Sequence, residues 1–198
     1  MRVLLAAFLA LAPGVASAEA GDMARARKII SGSCFLCHGA QGESTTELYP
    51  RLAAQNAAYL AKQLENFKSG ARKSGTMRPM VEKLAPRDME ALGLYFSRQR
   101  SEPHAPTDPA AAARGREIYE KGGADPAVAA CAGCHGANGH GSERLPRLAG
   151  QVAPYLAAQL RNFGERVRTN DNAVMQSVAA KMTAAEIDAV AQYLSALE

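Results

Sequence analysis

The 198-residue chain contains no tryptophan, and aromatic residues supply only 6% of it. Two small domains with so little aromatic packing need another source of core material, and a buried macrocycle would supply it. Alternating apolar and polar residues, the signature of half-buried strands, are absent, which argues against a sheet-based fold. Apart from one short stretch near the N-terminus, no segment is apolar enough for a membrane helix. The basic residues are scattered and carry no interleaved aromatics, which argues against a nucleic-acid-binding surface. Cysteine is scarce as well: there are four, and all fall into two short motifs.

What is present begins with an ordinary globular share of apolar residues, 47%. Met1 and Arg2 give a short positive start, residues 3–12 form an apolar run, and Ala16, Ser17 and Ala18 place small residues at a cleavage site. Residues 1–18 therefore read as a secretory signal peptide, with the mature protein exported to the periplasm as a soluble chain from about Glu19. The net charge of +4 conceals an asymmetry. Residues 19–100 hold thirteen Lys and Arg against eight Asp and Glu, whereas residues 101–198 hold nine against eleven. A basic half joined to a weakly acidic half has a dipole that can orient on charged partners.

Self-comparison organises the rest. The segment Cys34–Gly42 (Cys-Phe-Leu-Cys-His-Gly-Ala-Gln-Gly) reappears as Cys131–Gly139 (Cys-Ala-Gly-Cys-His-Gly-Ala-Asn-Gly). Pro50–Gln55 reappears as Pro146–Gln151, Tyr59 and Gln63 as Tyr155 and Gln159, and Asn66-Phe67 as Asn162-Phe163. The order is the same in both halves, so the chain is a tandem duplication. The proline-rich stretch 100–112 reads as a semi-rigid linker between domains at 19–99 and 113–198. His104 falls in that linker and reads as a solvated residue.

Within each unit the periodicity is helical. Ala24–Ser33 leads straight into the first cysteine. Ala57–Lys68 carries Leu60, Leu64 and Phe67 on one face, and Pro86 opens a third helix. The second unit repeats this at Arg114–Lys121, Pro154–Phe163 and Ala184–Leu197, the last with Thr183 and Glu186 as a capping box. The fold class is all-α, with about three helices per domain.

Both cysteine pairs belong to Cys-x-x-Cys-His motifs, the signal for covalent attachment of c-type haem. Thiols three residues apart on one helical turn reach the two vinyl groups of one porphyrin, and the next residue points its imidazole at the iron. Cys34, Cys37, Cys131 and Cys134 are the candidate thioether residues, and His38 and His135 the candidate iron ligands. Two disulfides or two redox dithiols would leave those histidines unexplained, and a shared zinc site would need cysteines from both halves to converge, although each half has its own complete set. The repeat also selects the second axial ligands. Met77 and Met175 lie 43 and 44 residues after the first cysteine of their motifs, and each precedes by seven residues the apolar position before the last helix. Met80 aligns with Val178, which cannot ligate, so it reads as a core or loop residue. His140 aligns near Glu43 and reads as a surface residue. The carbonyls of Pro50 and Pro146 are candidate acceptors for the second ring nitrogen of each histidine. Iron held by His and Met has no open position, and thioether ligation raises its potential, which suits electron carriage and disfavours a peroxidase.

Together, the two attachment segments, the two Pro-Arg-Leu-Ala-(Ala/Gly)-Gln segments, the Tyr-Leu-x-x-Gln-Leu helices and the paired methionines resemble the diheme cytochrome c4 family. The stretches Arg168–Asp171 and Met175–Ser177 are especially like that family's second half. The resemblance covers nearly all of the chain beyond the leader. It implies two tandem class I cytochrome c domains about a pseudo-two-fold axis, two haem c groups with His/Met ligation, and no enzymatic activity. It implies electron delivery to a terminal oxidase, from a quinol-oxidising complex or another donor. Similar chains also serve as electron-accepting subunits of flavin or molybdenum dehydrogenases that oxidise sulfur compounds. Peripheral membrane association is left open. The first unit departs from the second in having Ala54 where the other has Gly150.

Overall fold

The computed structural model describes residues 13–44 and 46–198, with side chains from residue 19 onward. The apolar run and positive start of the expected leader, residues 1–12, lie outside the described residues. Among the described residues there are ten α-helices, one π-helical turn and no strand.

The first half contains α1 (Pro13–Ile29), a π-helical turn (Ile30–Cys34), α2 (Phe35–His38), α3 (Ala57–Ser69), α4 (Met77–Val81) and α5 (Pro86–Ser97). The second contains α6 (Pro109–Lys121), α7 (Ala132–His135), α8 (Ala153–Gly164), α9 (Val174–Ala179) and α10 (Ala184–Ala196). Three long helices per half follow the sequence periodicity, except that α1 begins at Pro13, eleven residues before the expected Ala24 start and within residues 13–18 of the expected leader. The short helices α2, α4, α7 and α9 are additions that periodicity cannot resolve, since none exceeds six residues.

Each half has its own core. Ala26, Ile30, Leu60, Ala91, Leu92 and Phe96 close the first. Tyr119, Leu156, Ala157, Ile187, Val190, Ala191 and Leu194 close the second. In each, the first and last long helices cross, α1 on α5 and α6 on α10. Gly115 makes the second crossing so close that a Cβ there would lie 2.0 Å from the Ala189 carbonyl oxygen. In the first half, fully buried Ala26 sits on α1 within the core that α5 completes.

Helix starts follow their caps. Asp108 accepts from the Ala111 N–H and Pro109 occupies the first turn, so α6 begins five residues before the Arg114 start expected from periodicity. Thr183 and Glu186 form the expected capping box on α10.

The halves meet in a reciprocal set of bonds, which makes the axis between them a pseudo-two-fold. The Arg51 N–H donates to Gln151 Oε1 at 2.7 Å and Gln151 Nε2 donates to the Arg51 carbonyl at 2.8 Å. The mirror pair links Arg147 to Gln55 at the same two distances. Arg72 reaches Tyr155 and Gln159 of the other half, and Arg168 reaches Tyr59 and Gln63. Each arginine also lies over a phenylalanine of its own half, Arg72 on Phe67 and Arg168 on Phe163.

Candidate haem centres

The attachment segments arise differently in the two halves. In the first, α1 runs directly into Cys34 through the π-helical turn. In the second, a loop after α6 returns Val128 to a fully buried position before Cys131. After the motif the halves coincide. Ser44 N–H bonds the His38 carbonyl and Gly141 N–H bonds the His135 carbonyl, each at 2.8 Å. The Gly42 carbonyl then accepts from Leu52 and Ala53, and the Gly139 carbonyl from Leu148 and Ala149. This hairpin of the chain returns each proline to its histidine.

His38 and His135 are both buried, at 6% exposure. Nδ1 of His38 lies 2.9 Å from the Pro50 carbonyl oxygen, and Nδ1 of His135 lies 3.3 Å from that of Pro146. A carbonyl can only accept, so Nδ1 is the protonated nitrogen and Nε2 keeps its lone pair. Burial lowers both histidine pKa values, partly opposed by the proline carbonyls, which keeps the rings neutral and ligand-ready.

None of the four cysteines is paired in a disulfide. Burial raises the Cys34 pKa, with Ser33 opposing, and pushes Cys131 up to about 11. Among the described residues no group of three or more His, Cys, Asp or Glu side chains converges, so the motifs do not combine into a zinc site.

Met77 opens α4, its N–H held by Ser74 Oγ at 3.1 Å, and Met175 is the second residue of α9; both are half-buried. These helices pack against α3 and α8 respectively. Met80 lies within α4 and is 50% exposed, so it is neither the core nor the loop residue expected. His140 is exposed, as expected, with Nε2 on the Glu198 carbonyl. His104 is exposed, as expected; its ring also abuts the Arg51 guanidinium, and partial burial followed by the Arg51 charge lowers its pKa.

The cytochrome c family profile matches residues 112–198. Cytochrome c4 of Thiocapsa roseopersicina is 38% identical over 192 residues, 95% of this chain and 96% of the relative. The chain belongs to the cytochrome c4 family. The crystal structure of reduced recombinant cytochrome c4 from Pseudomonas stutzeri matches with a TM-score of 0.83 at 35% identity, over 91% of this chain and 98% of that one. The thiosulfate dehydrogenase electron acceptor of Thiomonas intermedia is 38% identical over 169 residues, 83% of this chain and 78% of the relative. Membership makes the chain an electron carrier, not an enzyme, with two covalently bound haem c groups.

The chain's chemistry fits that cofactor. Each haem c brings an iron and two carboxylates. The chain offers two thiol pairs, two neutral imidazoles with free Nε2 atoms, and four cations with no carboxylate partner. Arg51, Arg72 and Arg168 are buried and Arg147 half-buried, and none is in an ion pair among the described residues. Burial lowers the pKa of Arg51 and Arg147, the cost that haem carboxylates would offset. Sequence reasoning used most of these arginines, with Tyr59, Gln63, Tyr155 and Gln159, only as markers of the repeat and of the resemblance, and gave none of them a place at the domain boundary. The signal was available: polar residues recur at identical offsets in both repeats on faces that a lone domain would leave to water.

Proposed function

We propose that Cys34 and Cys37, and Cys131 and Cys134, attach the two haems as thioethers. His38 with Met77, and His135 with Met175, would then hold the two irons. The Pro50 and Pro146 carbonyls orient the histidines and raise their donor strength. Bound haem supplies an iron that exchanges one electron. The chain's part would be to supply a histidine and a methionine to each iron, to fix each imidazole in one tautomer and to exclude water. The observation that carries this reading is the matched Nδ1–carbonyl contact in both halves. We assign the leader to residues 1–18, the domains to 19–99 and 113–198, and the linker to 100–112, with the exported chain working in the periplasm. Among the described residues no helix is long and apolar enough to cross a membrane.

As to partner, the first reading is a free-standing carrier delivering electrons to a terminal oxidase. Its support is the near-complete mutual coverage with chains named cytochrome c4. A second reading, the electron-accepting chain of a periplasmic flavin or molybdenum dehydrogenase acting on sulfur compounds, is favoured by the Thiomonas relative's name.

Carbon monoxide added to the reduced holoprotein tests the ligand set. An unchanged spectrum is expected. A shift in half or all of the haem absorbance would mean an open iron and would overturn it. Stopped-flow mixing separates the partner readings. Fast oxidation by a membrane oxidase with no reduction by a thiosulfate-oxidising enzyme supports the first, and the reverse supports the second.

A further inference from the structure

The Pro50 carbonyl and the Arg51 N–H are the two ends of one peptide group. Its oxygen faces Nδ1 of His38 at 2.9 Å. Its N–H donates across the domain boundary to Gln151 Oε1 at 2.7 Å. The other half repeats the arrangement: the peptide joining Pro146 and Arg147 faces His135 with its oxygen and donates to Gln55 with its N–H. Both glutamines are buried, at 6% and 7% exposure, and each Oε1 also accepts the N–H of the following residue at 3.0 Å. Each Nε2 closes the ring by donating to the same arginine's carbonyl.

We propose that Gln151 and Gln55 are positioning residues that tune the haem of the opposite domain. This rests on the ligand set proposed above. An amide is one conjugated unit, so drawing on its N–H moves electron density onto its oxygen. Hydrogen bonds in series strengthen one another in this way, most where water is excluded. A more basic Pro50 oxygen pulls harder on the His38 Nδ1 proton, and the imidazole becomes a stronger donor at Nε2. A stronger nitrogen donor favours the ferric state. Gln151 therefore lowers the potential of the first haem, and Gln55 that of the second. Each haem senses whether the other domain is docked, through a path of two hydrogen bonds and one peptide.

The test uses the full-length holoprotein, with potentials resolved for each haem by NMR of partly oxidised samples. Gln151→Leu is expected to raise the potential of the first haem and leave the second in place. The shift in reduction equilibrium is up to about tenfold, or about 59 mV for one electron. The His38 Nδ1–H resonance of the reduced protein should move with it. Gln55→Leu should give the mirror result. Gln151→Glu keeps an oxygen on the Arg51 N–H but cannot donate to the carbonyl, and should move the first haem the opposite way. Equal shifts of both haems, shifts confined to the mutated domain's own haem, or shifts of one sign for Leu and Glu would mean the glutamines only dock the domains and would overturn the proposal. The ligand set is tested separately in the unmutated protein. Absence of ring-current-shifted His38 and His135 ring protons in the reduced state sinks that reading, whereas unchanged potentials with those signals intact sink only the glutamine proposal.

Discussion

Met77 and Met175 share a position in the repeat, and Met80 does not. Met77→Ala and Met175→Ala should each lower the potential of one haem and open one iron to carbon monoxide. Met80→Ala should do neither, consistent with its half-exposed place on α4. Redox titration with carbon monoxide spectra reads both effects, and an open iron in Met80→Ala with none in Met77→Ala would reassign the ligand. Ala54 and Gly150 illustrate what the repeat alone does not explain. Both are left-handed, with φ of 57° and 70°. Their N–H groups bond the Phe96 and Leu194 carbonyls, each at 2.9 Å. A Cβ on Gly150 would lie 2.8 Å from Ser101 Oγ, so the incoming linker's serine would have to turn aside as well as the backbone bear a positive φ. Ala54 already carries its Cβ and bears the backbone strain of its positive φ. Ala54→Gly should stabilise the protein by about 0.5–1 kcal/mol once glycine's entropy is offset, and Gly150→Ala should destabilise it by about 1–2 kcal/mol. Urea midpoints would show both, and equal effects of either sign would refute the distinction.

At the scale of elements, two acidic residues hold helix starts and set the acid limb of stability. Asp88 accepts from the Ala85 N–H at 2.8 Å at the start of α5 and pairs with Arg25 of α1. The Arg25 hydrogen bond, with help from Ala85 and Lys68 and against burial, lowers its pKa. Glu186 accepts from Ala124 and Thr183, and those bonds lower its pKa too. A carboxyl depressed in the folded state stabilises above its unfolded value of about 4 and loses that contribution as pH falls through the folded value. Asp88→Asn should therefore cost about 1–2 kcal/mol at neutral pH, with the penalty shrinking below about pH 4 as the unmutated Asp88 itself protonates. Thr183→Ala should cost about 1 kcal/mol through the lost cap on α10. Thermal melts between pH 3 and 7 would check the first; a pH-independent penalty would mean the charge is immaterial.

The sequence located α3, α5, α8 and α10 closely, because each buries one stripe of large apolar side chains. It placed the start of α6 late because residues 110–113 are all alanine and have no sided pattern; the Asp108 cap decides that end. The helices α4 and α9 escaped notice because five or six residues do not complete two turns.

For the whole molecule, the interface is polar, reciprocal and buried. Arg168 bonds Gln159 and Asn170 in its own half and Tyr59 and Gln63 across the boundary. Arg168→Ala should cost about 2–4 kcal/mol by stripping charged hydrogen bonds and leaving buried acceptors short. In calorimetry of the holoprotein it should split one cooperative transition into two. A single transition retained in Arg168→Ala would mean that other contacts couple the halves.

The sequence by itself determined the duplication, the two attachment motifs, the helical class and the candidate ligand for each axial position. Those are local or periodic features, written in residue spacing. Only the tertiary structure decided that each proline–arginine peptide meets a glutamine of the other domain across a pseudo-two-fold, and that among the described residues the buried arginines form no ion pair. Contacts between residues 92 to 109 apart in the chain depend on how two finished domains dock, and no local spacing encodes that geometry.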